Sequence, residues 1–123
     1  MSIKESGENY LETILLLQKR KDHVRSIDVA NELSYTKASI SRAMGILKKK
    51  HYITIDASGQ ILFTDKGYKK ALEIYERHCL ITQFLIETLD LDPETADADA
   101  CRMEHIISEE TFQKIKDFLN KKI

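Results

Sequence analysis

The sequence predicts a mainly α-helical protein, a winged helix-turn-helix followed by an all-helical region, and three observations predict it. Apolar residues recur at three- and four-residue spacing through most of the chain, as amphipathic helices require. Between Tyr52 and Phe63 that period gives way to two short runs rich in β-branched and aromatic residues. One proline and four glycines in 123 residues leave few of the breakers that a sheet-rich fold uses.

The first helix is expected from Ser6 or Gly7 to Lys19, with Tyr10, Leu11, Ile14, Leu15 and Leu17 as its apolar face. The polar run Lys19 to His23 ends it. Ser26 reads as the N-cap of a second helix carrying Val29 and Leu33, and Ser34-Tyr35 as the turn after it. Thr36 caps a third helix built on Ile40, Ala43, Met44 and Leu47, and the small Ala30 and Ala43 allow the two helices a close approach. Strands at 52–55 and 60–63 flank Asp56-Ala57-Ser58-Gly59, a turn in which Gly59 can take a positive φ. Thr64 caps a long helix from Lys66 to Leu89, with Ala71, Ile74, Tyr75, His78, Ile81 and Leu85 at helical spacing. Pro93 suits the first turn of a helix to Ile107. Ser108 caps the last one, whose stripe is Phe112, Ile115, Phe118 and Leu119.

The net charge of −1 conceals an asymmetry. Residues 1–70 hold 13 basic against 8 acidic side chains, and residues 71–123 hold 6 against 12. A basic part followed by an acidic one fits a DNA reader joined to a cation-attracting part. The expected organisation is a DNA-binding domain over residues 1–70 and a helical dimerisation and metal-binding domain over 71–123. No run approaches the roughly 18–20 apolar residues of a membrane span. Ile3-Lys4-Glu5-Ser6 breaks any leader-like apolar opening, so a cytoplasmic protein is expected. Two cysteines, Cys79 and Cys101, make neither a disulfide framework nor a zinc ribbon.

The third helix should lie in the major groove with its first turns facing base edges. Its polar candidates are Thr36, Lys37, Ser39, Ser41 and Arg42, and residues 37–51 contain no acid. Lysine and arginine can donate to guanine, and serine reaches bases or phosphates. Lys48, Lys49 and Lys50 at the helix end suit phosphate, as do Arg25 and Ser26 at the start of the second helix, while the wing tip Ser58-Gly59-Gln60 could track an adjacent groove. The competing reading is a solvated basic face on a protein-interaction module, and the acid-free reading helix favours DNA. Cys101, Glu104 and His105 stand at i, i+3 and i+4, so thiolate, carboxylate and imidazole leave one helical face and could meet on one divalent ion. His78 offers a further imidazole. Glu12, one turn past Asn9, offers a carboxylate from the basic part. Spacing alone leaves Cys101 equally readable as a buried small hydrophobe.

These blocks together resemble the diphtheria toxin repressor family, in length its short manganese transport regulator branch. The resemblance rests on Glu8-Asn9-Tyr10-Leu11-Glu12, then Ile27-Asp28-Val29-Ala30 through Ser39-Ile40-Ser41-Arg42 to Leu62-Phe63-Thr64-Asp65-Lys66-Gly67, then Tyr75-Glu76-Arg77-His78 and Cys101-Arg102-Met103-Glu104-His105. It implies a homodimeric, metal-activated repressor of metal-uptake genes that binds a palindromic operator on double-stranded DNA, with Glu12, His78, Glu104 and His105 as ligands. Cys101 stands where the iron-responsive branch has cysteine and the manganese branch glutamate. Asn9 stands where the manganese branch has an aspartate, and Thr82 where the iron branch has a glutamate. The thiolate favours iron(II), with manganese(II) next and zinc or cobalt able to bind in the test tube. The alternative is a metal-independent winged regulator whose site has become core. An enzyme with a small-molecule substrate is not expected, because no nucleophile and base are paired and Glu104-His105 lacks the second histidine of a hydrolytic zinc helix.

Overall fold

A computed structural model describes residues 5–121, in the order α1 (Glu5–Arg20), α2 (Ser26–Leu33), α3 (Lys37–Lys49), β1 (Ile53–Ile55), β2 (Ile61–Phe63), α4 (Asp65–Leu89), α5 (Pro93–Ile106) and α6 (Glu109–Asn120). Ile3 and Lys4, on which the leader reading rests, lie outside the described residues. The elements match the winged, mainly helical fold expected, with boundaries displaced by a residue or two. Compact packing divides the chain into Met1–Leu72 and Glu73–Ile123, a division that falls inside α4.

In the first unit α2 packs on α3 and both touch α1. Most side chains read as apolar positions are buried, Leu11, Ile14, Val29, Ala30, Ile40, Met44 and Leu47 among them, while Tyr10, Leu33 and Ala43 are half-buried. Each large one contributes roughly 1.5–3 kcal/mol on leaving water, enough to hold three short helices that would not be stable alone. Thr36 caps α3 by accepting from the Ser39 amide at 3.2 Å. The far end of α3 closes as a Schellman turn: the Tyr52 amide donates to Leu47, the His51 amide to Lys48, and His51 takes φ 67°. Antiparallel β1 and β2 pair Ile53 with Phe63 and Ile55 with Ile61.

Ser26 does not cap α2. It is the first helical residue, and Arg25 occupies the cap position. The capping group is Asp28, whose carboxylate accepts from the Arg25 amide at 2.8 Å while the Arg25 carbonyl accepts from the Asp28 amide at 2.9 Å. A carboxylate at the third helical residue that reaches back to the cap residue's amide is one half of a capping box. Hydrogen bonding from Lys21, 2.6 Å away, and from the Arg25 amide holds Asp28 below the usual carboxylate range.

In the second unit Ile81, Leu85, Ala96, Ala100, Phe112 and Ile115 form one buried cluster of α4, α5 and α6. Phe84 and Phe118 meet edge to face, centroids 5.5 Å apart. Asp92 caps α5 by accepting from Thr95, and Ser108 caps α6 by accepting from Thr111.

Candidate metal centre and nucleic-acid interface

The α5 helix is built for close approach. Its buried apolar positions are Ala96 and Ala100, so its backbone can come near α4, and its next turn carries Glu104, fully buried. A glutamate there stands without water and needs compensating partners. They are imidazoles. One carboxylate oxygen lies 2.9 Å from Nδ1 of His78 on α4, and the other 3.2 Å from Nε2 of His105. The Cys101 sulfur is within 4.8 Å of a Glu104 oxygen. Two nitrogens, a carboxylate and a thiol therefore gather inside the second unit, a donor set that suits a first-row divalent ion.

Two further residues shape this cluster. Asp97 approaches Nε2 of His78 at 2.7 Å, so both ring nitrogens face carboxylates. A carboxylate on the far nitrogen is the arrangement that fixes ring orientation in metal-ligating histidines. Arg77 donates to the Glu104 carbonyl at 3.0 Å and to the Glu109 carboxylate at 2.6 Å, with its guanidinium over Phe112. It thus ties the turn carrying Glu104 to the start of α6. Neither role is apparent from the sequence. Asp97 stands one turn before Cys101 on the same face of α5, but that spacing does not say which side chain it meets. Thr82 donates to the His78 carbonyl at 2.7 Å, so its hydroxyl serves its own helix.

In the first unit Glu12 is a buried carboxylate on α1 and Asn9 is half-buried, its backbone carbonyl accepting from the Thr13 hydroxyl. Lys37, Ser41, Arg42, Lys48 and Lys49 are exposed along α3. Thr36 is exposed and its hydroxyl donates at 2.9 Å to Ser39, which is half-buried and so less open to a base than its neighbours. Lys50 is half-buried; its carbonyl accepts from Lys66, whose ammonium sits 4.4 Å from the centre of the Tyr52 ring. At the wing tip the Ser58 hydroxyl donates to Asp56, and the Arg25 guanidinium donates to the Ser58 carbonyl.

Comparison with known proteins matches residues 2–59 to the N-terminal DNA binding domain of iron dependent repressors. Residues 64–122 match the metal binding and dimerisation domain of the same repressors. An uncharacterized HTH-type transcriptional regulator of Methanocaldococcus jannaschii, MJ0568, is 31% identical over 97% of this chain and 96% of its own length. The chain belongs to the diphtheria toxin repressor family. It is a DNA-binding transcriptional regulator of the metal-dependent class, not an enzyme. Within this family the HTH-type transcriptional regulator MntR of Listeria monocytogenes is 30% identical over 91% of this chain and 78% of its own. The solved structure of the manganese regulator SloR superposes with a TM-score of 0.81 at 26% identity, covering 98% of this chain. A manganese-dependent transcriptional repressor with manganese shares the fold, with a TM-score of 0.85 at 23% identity. The chain spans about half the length of these two, 55% and 52%. Among the described residues no helix is long and apolar enough to cross a membrane.

Proposed function

We propose that this family member is a homodimeric repressor of metal-uptake genes that binds a palindromic operator when a divalent ion is present, with iron(II) favoured over manganese(II). In this reading residues 1–70 bind DNA, residues 71–123 dimerise and bind metal, and the protein works in the reducing cytoplasm. The observation that carries it is the buried Glu104 carboxylate lying between two imidazoles with a thiol close by. The proposed ligands are Glu12, His78, Cys101, Glu104 and His105, with Asn9 adding an amide oxygen or holding a water. Family resemblance supports Glu12 and Asn9; burial and convergence inside the second unit support the others. A bound ion would supply the positive charge that lets the buried Glu104 carboxylate and a half-buried Cys101 thiolate persist side by side. A soft thiolate in place of a hard carboxylate disfavours manganese, the basis for backing iron. Exposed Leu89, Ile106 and Phe118 on the second unit support self-association there.

Cobalt(II) tests the centre most cheaply. Reduced protein is expected to show a thiolate-to-metal charge-transfer band that disappears in Cys101→Ser. A spectrum without that band in the unmodified protein would return Cys101 to the core. Cys101→Glu should shift preference toward manganese, read by competition between manganese and cobalt.

For DNA, removing Lys48 or Lys49 should weaken operator and mixed-sequence duplexes alike. The salt slope should fall by roughly 1 for each phosphate that is no longer neutralised. Arg42→Ala should cost on the order of 1–3 kcal/mol and relax specificity, as expected for a bidentate base contact. Equal losses on both duplexes would move Arg42 to the backbone.

A further inference from the structure

The sequence suggests Arg25 and Ser58 as two separate DNA contacts, one to phosphate and one in an adjacent groove, 33 residues apart. The structure joins them. The Arg25 Nε donates to the Ser58 carbonyl at 3.0 Å, and the aliphatic part of the side chain lies along Gly59, whose φ of +88° forms the wing tip. The Arg25 backbone bridges to Gln60, the Ile61 amide donates to the Val24 carbonyl at 2.7 Å, and the Gln60 side chain reaches the Asp22 carbonyl at 3.4 Å. The strand-like stretch before α2 is therefore sewn to β2 at the base of the wing.

From the other side the tip is held by Asp56. One carboxylate oxygen accepts from the Ser58 amide at 2.9 Å, the Ser58 hydroxyl at 2.7 Å and the Gln60 amide at 3.0 Å. Those bonds fix the backbone on both sides of the Ser58 carbonyl, which accepts from Arg25. Arg25 makes that bond while its own backbone amide donates to Asp28 at the start of α2. A single residue thus touches the first turn of the helix-turn-helix through its backbone and the wing tip through its side chain.

We propose that Arg25 is a positioning residue for DNA recognition, locking the wing tip to the start of α2 so that the wing and the reading unit meet the duplex as one rigid surface. This rests on the DNA-binding function, yet its physical content lies in the free protein. A lysine at position 25 keeps the charge but has no Nε–H to offer the Ser58 carbonyl in this geometry. A positioning residue and a phosphate contact therefore predict opposite results for Arg25→Lys.

The experiment is amide hydrogen exchange on the full chain without DNA, for the unmodified protein, Arg25→Lys and Arg25→Ala, followed by binding of each to a mixed-sequence duplex across salt concentrations. The expected result is that exchange at Gly59 and Gln60 quickens about tenfold in both variants, the scale of one missing hydrogen bond from a charged donor. Amides of Ile40, Met44 and Leu47 in α3 should keep their protection, showing that the helices remain folded. Both variants should weaken DNA binding alike, and Arg25→Lys should do so with an unchanged salt slope. Wing-tip exchange unchanged in both variants, with the slope lowered by about 1 only in Arg25→Ala, would overturn the proposal and make Arg25 a phosphate contact. If the unmodified protein failed to bind duplex at all, the exchange data alone would still decide whether Arg25 holds the wing.

Discussion

Glu104→Gln is expected to lower divalent-metal affinity by about 100-fold or more, beyond the upper end of what loss of an outer-sphere partner costs. The glutamine fills the same space, so the α4–α5–α6 cluster should survive and the helical signal should be unchanged. What disappears is the negative charge that sits 2.9 Å from His78 and 3.2 Å from His105. The remaining proposed ligands would then have to hold a divalent ion with one fewer anionic donor in a buried place, where charge balance counts most. Titration calorimetry with manganese and with cobalt gives the affinities, and operator binding with and without metal shows whether activation follows. Affinity within tenfold of the unmodified protein would remove Glu104 from the ligand set and weaken the whole metal-centre reading.

Gly67→Ala should unfold or severely destabilise the winged unit, by about 4 kcal/mol or more, a size reserved for clashes that backbone cannot relieve. Gly67 lies in the first turn of α4, and a Cβ there would stand 1.8 Å from the Tyr52 carbonyl oxygen and 2.7 Å from its carbon. Neither group is free to move. The Tyr52 carbonyl accepts from the Thr64 amide and the Thr64 hydroxyl, each at 3.1 Å. Thr64 in turn caps α4 by accepting from the Gly67 amide at 3.0 Å. One methyl group would therefore separate α4 from the end of α3 and the start of β1. Denaturant unfolding followed by far-ultraviolet circular dichroism reads the loss, and stability within 1 kcal/mol of the unmodified protein would show that this junction gives way.

How much is legible along the chain follows from how local each feature is. Thr36, Thr64 and Ser108 can be read as caps because a cap needs only a side chain and an amide two or three residues on. The turn at Gly59 is legible for the same reason. Ser26 misleads because the start of α2 offers two local solutions, a hydroxyl at the cap or a carboxylate at Asp28 reaching back, and composition does not choose between them. Lys21, seven residues earlier, anchors Asp28 and decides the matter.

The order of helices and strands, the acid-free reading helix, the family, and the thiol-carboxylate-imidazole face of α5 are all set in the linear chain, because each depends on periodicity or on neighbours within one turn. Four other pairings emerge only when the helices close: Asp97 facing His78, Arg77 bolting the Glu104 carbonyl to α6, Gly67 pressed on Tyr52, and Arg25 holding Ser58. Those pairs stand 19, 27, 15 and 33 positions apart on different elements. Their partners are chosen by packing, which small residues such as Ala96 and Ala100 permit but do not specify, and no pattern along the chain records which carbonyl or ring a given side chain will meet.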